Sequence, residues 1–103
     1  MRELLEWLKS QKGGVSTYWE FQLRALKLRT TEPDQAACLS LLADIAGRFA
    51  DKYYEEPLPV DAAAGALDRL GKLLGKAVEH SDADAATRLR VLNEISISEL
   101  EPS

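Results

Sequence analysis

Apolar residues recur along this chain at spacings of three and four, and the runs are broken by glycine, proline and capping residues. The pattern predicts five helical segments and no strand. The first covers about 2–12, with Met1, Leu4, Leu5 and Leu8 on one face, and Gly13-Gly14 ends it. Thr17-x-x-Glu20 reads as a capping box, whose two side chains satisfy orphan amides reciprocally, and opens a second segment reaching about Arg29. Thr30-Thr31-Glu32-Pro33 is both a stop and a start, because proline fits a first helical turn where its missing N–H is harmless.

The third segment runs from about Pro33 to Glu55 and stops before Pro57, which disfavours helical backbone in the residue ahead of it. The fourth starts at Pro59 or Asp61 and continues to about His80. Ser81-x-x-Asp84 caps the fifth, which reaches about Ile95. The expected fold is all-α: one four-helix-bundle-like domain over 1–95 built from five segments, with a loose tail at 96–103. The two longest segments, about 33–55 and 60–80, are joined by a short connection and are expected to form an antiparallel hairpin.

Plotting the third segment at about 100° per residue places Cys38, Leu41, Leu42, Ile45, Phe49 and Tyr53 on one face. Tyr53 therefore continues the core stripe, with a hydroxyl near the edge that seeks a partner. Tyr54 falls instead on a second stripe with Ala36, Ala43, Gly47 and Ala50, all small. Small residues in line admit a close neighbour, which is either another helix of the same chain or a second protein. The second segment is apolar on two faces, Trp19-Leu23-Leu26 and Tyr18-Phe21-Ala25-Leu28, more than a short helix buries unless it is central or partnered. On the fourth, Val60, Ala63, Ala64, Leu67, Leu70, Gly71, Leu74, Ala77 and Val78 form the inner arc. Gly71 is expected there to admit a close helix.

The length of 103 residues fits one core. Area scaling gives about 5,800 Å² of folded surface against about 16,500 Å² unfolded, which leaves little interior for a deep active site. Net charge is −4 but uneven. Residues 1–30 hold six bases and three acids, whereas the remainder holds seven bases and fourteen acids. The acidic majority argues against a phosphate-backbone ligand, and the basic third suits an acidic neighbour, the chain's own remainder included. A single cysteine, Cys38, excludes an intramolecular disulfide and fits a reducing compartment. No apolar run is long enough to span a membrane, and the start has no signal-peptide pattern, so a cytoplasmic protein is expected. Heavy use of Ala, Asp and Arg points to a bacterial origin.

Catalytic constellations are missing from the pattern. His80 sits in "EHSDAD" at a helix end, where it suits the dipole while Ser81 and Asp84 cap the fifth segment. An EF-hand counted from Asp82 would need Gly and Glu where Thr87 and Asn93 stand. A phosphotransfer histidine would be exposed within a helix, which His80 is not. Cys38 lies on the core stripe without a basic neighbour in sequence and is expected to be inert. No phosphate-cradling loop, metal-spaced set or nucleophile motif occurs, so no cofactor, metal or enzymatic activity is expected. Residues 2–29 have the outline of a helix-turn-helix, but the second helix is too apolar to read base edges.

What remains is protein binding. Asp51, Tyr54, Glu55 and Glu56, with Gly47 and Ala43 on the small stripe, form the expected contact surface for a partner, which the acids would steer if it were basic. An inhibitor or immunity protein, a secretion chaperone or a small regulatory subunit would use such a surface. Its acid-plus-tyrosine device is similar to that of colicin-type nuclease immunity proteins. The alternatives are a homo-oligomer, the simplest being a homodimer, that buries its spare faces against its own copy, and a DNA-binding regulator using residues 2–29.

Overall fold

The computed structural model describes residues 1–101 and contains five α-helices in chain order: α1 (Arg2–Lys9), α2 (Val15–Thr31), α3 (Ala36–Lys52), α4 (Val60–Glu79) and α5 (Ala85–Ser96). No strand occurs among the described residues, and the helices pack as a small bundle. Its accessible surface of 6250 Å² lies close to the area expected for one domain of this length.

Several boundaries move from their predicted places for local reasons. Helix α1 ends at Lys9, and the chain turns through Gly13 at φ 83, in the left-handed region where side chains are disfavoured. Gly14 then serves as the N-cap of α2, so Thr17 lies inside the first turn and is buried rather than capping. The capping box does not form. Pro33–Gln35 make one 3-10 turn before α3, with the Gln35 amide donating to the Glu32 carbonyl at 2.9 Å. Asp84 does cap α5, accepting from the Thr87 amide at 2.8 Å, while the Ser81 hydroxyl turns back to the Val78 carbonyl.

The closest helix pair is α2 with α3. Gln22 meets Gly47, the Arg29 guanidinium donates to the Ser40 hydroxyl at 3.2 Å, and the Tyr18 ring stands edge-on to Phe49 at 4.7 Å. Numbers fall along α2 as they rise along α3, so the two are antiparallel. The small stripe of α3 makes this approach feasible. Ala43, Gly47 and Ala50 are all buried within the single chain, and a Cβ on Gly47 would clash with the side-chain amide of Gln22. Gly47 and Ala43 are therefore not a partner groove, because the chain's own α2 is packed against this helix. Helix α3 also packs on α4 and α5, which makes it central.

The predicted main stripe of α3 is inside, with Leu41 half-buried and the rest buried. On α2 the face Tyr18-Phe21-Ala25 is fully enclosed, whereas Leu23 is 55% exposed and Trp19 and Leu26 are half-buried. The inner arc of α4 needs correction: Leu70, Leu74, Ala77 and Val78 are buried, but Val60 and Ala64 are exposed, while Ala66, off that arc, is fully buried. Gly71 faces open space, with nothing within 4 Å of a Cβ added there, so close approach does not explain it.

Two substitutions on opposite sides of this packing have opposite expected signs. Ala43→Leu overfills the α2–α3 seam and should cost about 1–3 kcal/mol. Gly71→Ala removes a helix-interior glycine without a clash and should gain up to about 1 kcal/mol. Urea unfolding of both variants reads the two signs, and a neutral Ala43→Leu would contradict the seam.

Candidate functional site

Helix α3 stops at Lys52 rather than Glu55. The Tyr53 and Tyr54 amides bond back to the Ala50 and Asp51 carbonyls at 3.1 and 3.2 Å, a three-residue reach that tightens the last turn. Tyr53 points inward as expected, its ring tilted against Phe49 at 5.3 Å. Tyr54 leaves the small stripe because the helix has already ended. It is 71% exposed.

Around it the structure brings together much of what the sequence singled out and separates the rest. Asp51, Glu55 and Glu56 are all exposed, on the last turn of α3 and the turn after it. Val60, 83% exposed, and the exposed Asp61 begin α4 at the other end of the connection. Among the described residues none of these four acids makes an ion pair. Tyr54 and Val60 are therefore exposed apolar side chains in a short stretch whose four carboxylates lack an ion pair among the described residues, although the Lys52 ammonium also feels Glu56. Ala43 and Gly47 do not join it.

Sequence reasoning missed what holds this turn. The loose tail expected at 96–103 needs correction where it is described: Ser96 ends α5 and residues 97–101 run back as a strap to α3 and α4, while 102–103 lie outside the described residues. Leu100 is 1% exposed, its carbonyl accepts from the Arg69 guanidinium at 2.6 Å, and Glu99 pairs with Arg48 at 2.6 Å. Glu101 accepts the Tyr53 hydroxyl at 2.5 Å and also pairs with Lys52. The hydrogen bonds from Lys52 and then Tyr53 hold the Glu101 carboxyl below the usual carboxylate range. The bond to Glu101, with some desolvation, raises the Tyr53 phenol. A signal for the strap does exist in the chain: a leucine between two glutamates in "SELEPS" has the alternation of an extended segment with one face buried.

Other candidate chemistry resolves into structure. His80 caps α4, and its Nδ1 lies 2.9 Å from the Lys76 carbonyl, to which only the protonated nitrogen can donate. Cys38 is buried, and burial pushes its thiol up to about 11. It does have a basic neighbour, Arg88 from α5, which pulls the other way but does not offset burial. Both line one small pocket of about 40 Å³ between α3, α4 and α5, room for a few waters and not for a substrate. Among the described residues no three His, Cys, Asp or Glu side chains converge to hold a metal ion. Arg24, on the predicted DNA-reading helix, lies over the Trp7 ring at 4.4 Å and bonds Glu20 at 3.0 Å. No helix of the described residues is long and apolar enough to cross a membrane. No known protein family, curated protein or solved structure matches this chain.

The strap has a measurable signature. Leu100→Ala should destabilise the fold by about 2 kcal/mol, the low end for a buried leucine because a segment of this kind can settle into the gap. Because the folded carboxyl of Glu101 is depressed, its stabilisation is complete above the ordinary glutamate value of about 4.3 and fades as pH falls through the lower folded value. The stability difference between wild type and Glu101→Gln should narrow on acidification across that window. A difference that widens there would contradict the strap.

Proposed function

We propose that this chain is a non-catalytic, acidic protein-binding module that docks a basic partner protein through the face carried by residues 51–61. The observation that carries the reading is Tyr54, a large aromatic 71% exposed in the same short stretch as the exposed Asp51, Glu55, Glu56 and Asp61, none of them ion-paired among the described residues. A tyrosine loses little side-chain freedom on docking and supplies both apolar area and a hydroxyl, which is why this residue type dominates interface energetics. Flanking carboxylates raise the encounter rate of a basic surface and disfavour an acidic one. An inhibitor or immunity protein, a secretion chaperone or a regulatory subunit of a bacterial cytoplasm would work this way. The buried reduced Cys38 suits that compartment.

A second reading, self-association, has its own support in the outer face of α2. Leu23 is 55% exposed there beside half-buried Trp19 and Leu26. Light scattering separates the two, since a homodimer held by that face would fall apart in Leu23→Glu, whereas the docking reading leaves the chain monomeric.

The direct test is affinity capture with the full chain from its native cell, then titration of the captured protein. Tyr54→Ala with Glu55→Ala should weaken that complex by at least about thirtyfold, the equivalent of roughly 2 kcal/mol at an aromatic anchor, without changing the melting temperature. Unchanged affinity in the double variant would remove this face from the function.

A further inference from the structure

The docking face contains one cation that works against it. Lys52 is the only base in residues 51–61 and lies beside Asp51 and Tyr53, next to the turn that presents Tyr54. Left to itself it would repel a basic partner. In the structure its ammonium is paired with Glu101, which comes from the far end of the chain. That carboxylate is placed by three separate contacts: Leu100 buried just before it, the Arg69 guanidinium on the Leu100 carbonyl, and the Tyr53 hydroxyl on the carboxylate itself. Those contacts hold it at a site 28% exposed, against 57% for Lys52, where it is the carboxylate that pairs with the cation, Glu56 acting on it only at longer range.

Resting on the docking face proposed above, we infer that Glu101 is a positioning residue for it: by holding Lys52 through the strap, it clears the face of positive charge for a basic partner. The device acts through Lys52 and Tyr53 rather than by touching the partner. It also gives the strap a role beyond covering apolar surface, because Glu101→Ala would let Leu100 stay buried yet leave the cation with only the longer-range influence of Glu56.

The pair is solvent-exposed, so its effect on affinity is that of a screened surface charge, about two- to fivefold at low salt. The probe is a fluorescein-labelled deca-lysine peptide, titrated by fluorescence anisotropy into the full-length chain. Wild type binds it, and Glu55→Gln with Glu56→Gln weakens binding if the docking face is right. Glu101→Gln, which preserves an acceptor for the Tyr53 hydroxyl, should weaken binding about two- to fivefold. Adding Lys52→Gln to Glu101→Gln should restore binding while leaving any loss of melting temperature in Glu101→Gln uncorrected, a split that a merely structural role for Glu101 would not give. Glu79→Gln changes net charge equally, but at the far end of α4, roughly 30 Å from Asp61 along the helix, beyond the screening length at moderate salt. It should bind as wild type does.

Wild-type affinity in Glu101→Gln, no recovery on removing Lys52, or equal weakening by Glu79→Gln would each overturn the inference while leaving the docking face standing. No binding by wild type, or no effect of Glu55→Gln with Glu56→Gln, would instead remove the face and the inference together.

Discussion

The antiparallel seam between α2 and α3 is the constraint on which the rest depends. Ala43, Gly47 and Ala50 bring the two backbones close, and the Tyr18–Phe49 contact closes the end of the seam nearest the 51–61 turn. An edge-on aromatic pair of this geometry contributes about 0.5–1.5 kcal/mol beyond the area it buries. Burial pushes the Tyr18 phenol up to about 12, and its hydroxyl donates to the Ala63 carbonyl at 3.2 Å, tying the first turn of α4 to the same corner. With α3 thus enclosed by α2, α4 and α5, its small residues are used up inside the chain.

That enclosure decides what is left for a partner. A domain this small encloses one helix on most of its circumference, and the apolar groups that remain outside lie at helix ends or on faces turned away from the core. Tyr54 and Val60 are of the first kind and Leu23 of the second, while Ile97 and Leu89 lie on or just after α5. Tyr54 and Val60 lie in the one stretch, residues 51–61, that also carries four exposed acids without an ion pair among the described residues. The strap contributes to this selection by tying down Tyr53, so that two adjacent tyrosines separate into a core residue and a surface residue.

Much of this is legible in the chain itself. The helix count, the core stripe of α3, the inward Tyr53 with a hydroxyl in need of a partner, and the outward acids all come from period and punctuation. The errors have physical causes. A stripe of alanine and glycine looks the same whether its neighbour is internal or foreign, so Ala43 and Gly47 are open to both readings until the packing of α2 decides between them. Helical periodicity extrapolated past Lys52 keeps Tyr54 on a face that no longer exists there. The glutamates of "SELEPS" suggest a solvated tail because their cations, Arg48 and Lys52, lie about fifty positions earlier in the chain, a separation invisible to local pattern. Gly71 remains without a packing reason.

A division of labour among three tyrosines underlies both the fold and the proposed docking face, and chemical accessibility measures it directly. Mild nitration of the isolated chain, mapped by mass spectrometry, should modify Tyr54 while Tyr18 and Tyr53 stay unmodified as long as the fold persists. Protection of Tyr54 in the free chain would contradict the proposed docking face, and modification of Tyr53 at a comparable rate would contradict the strap.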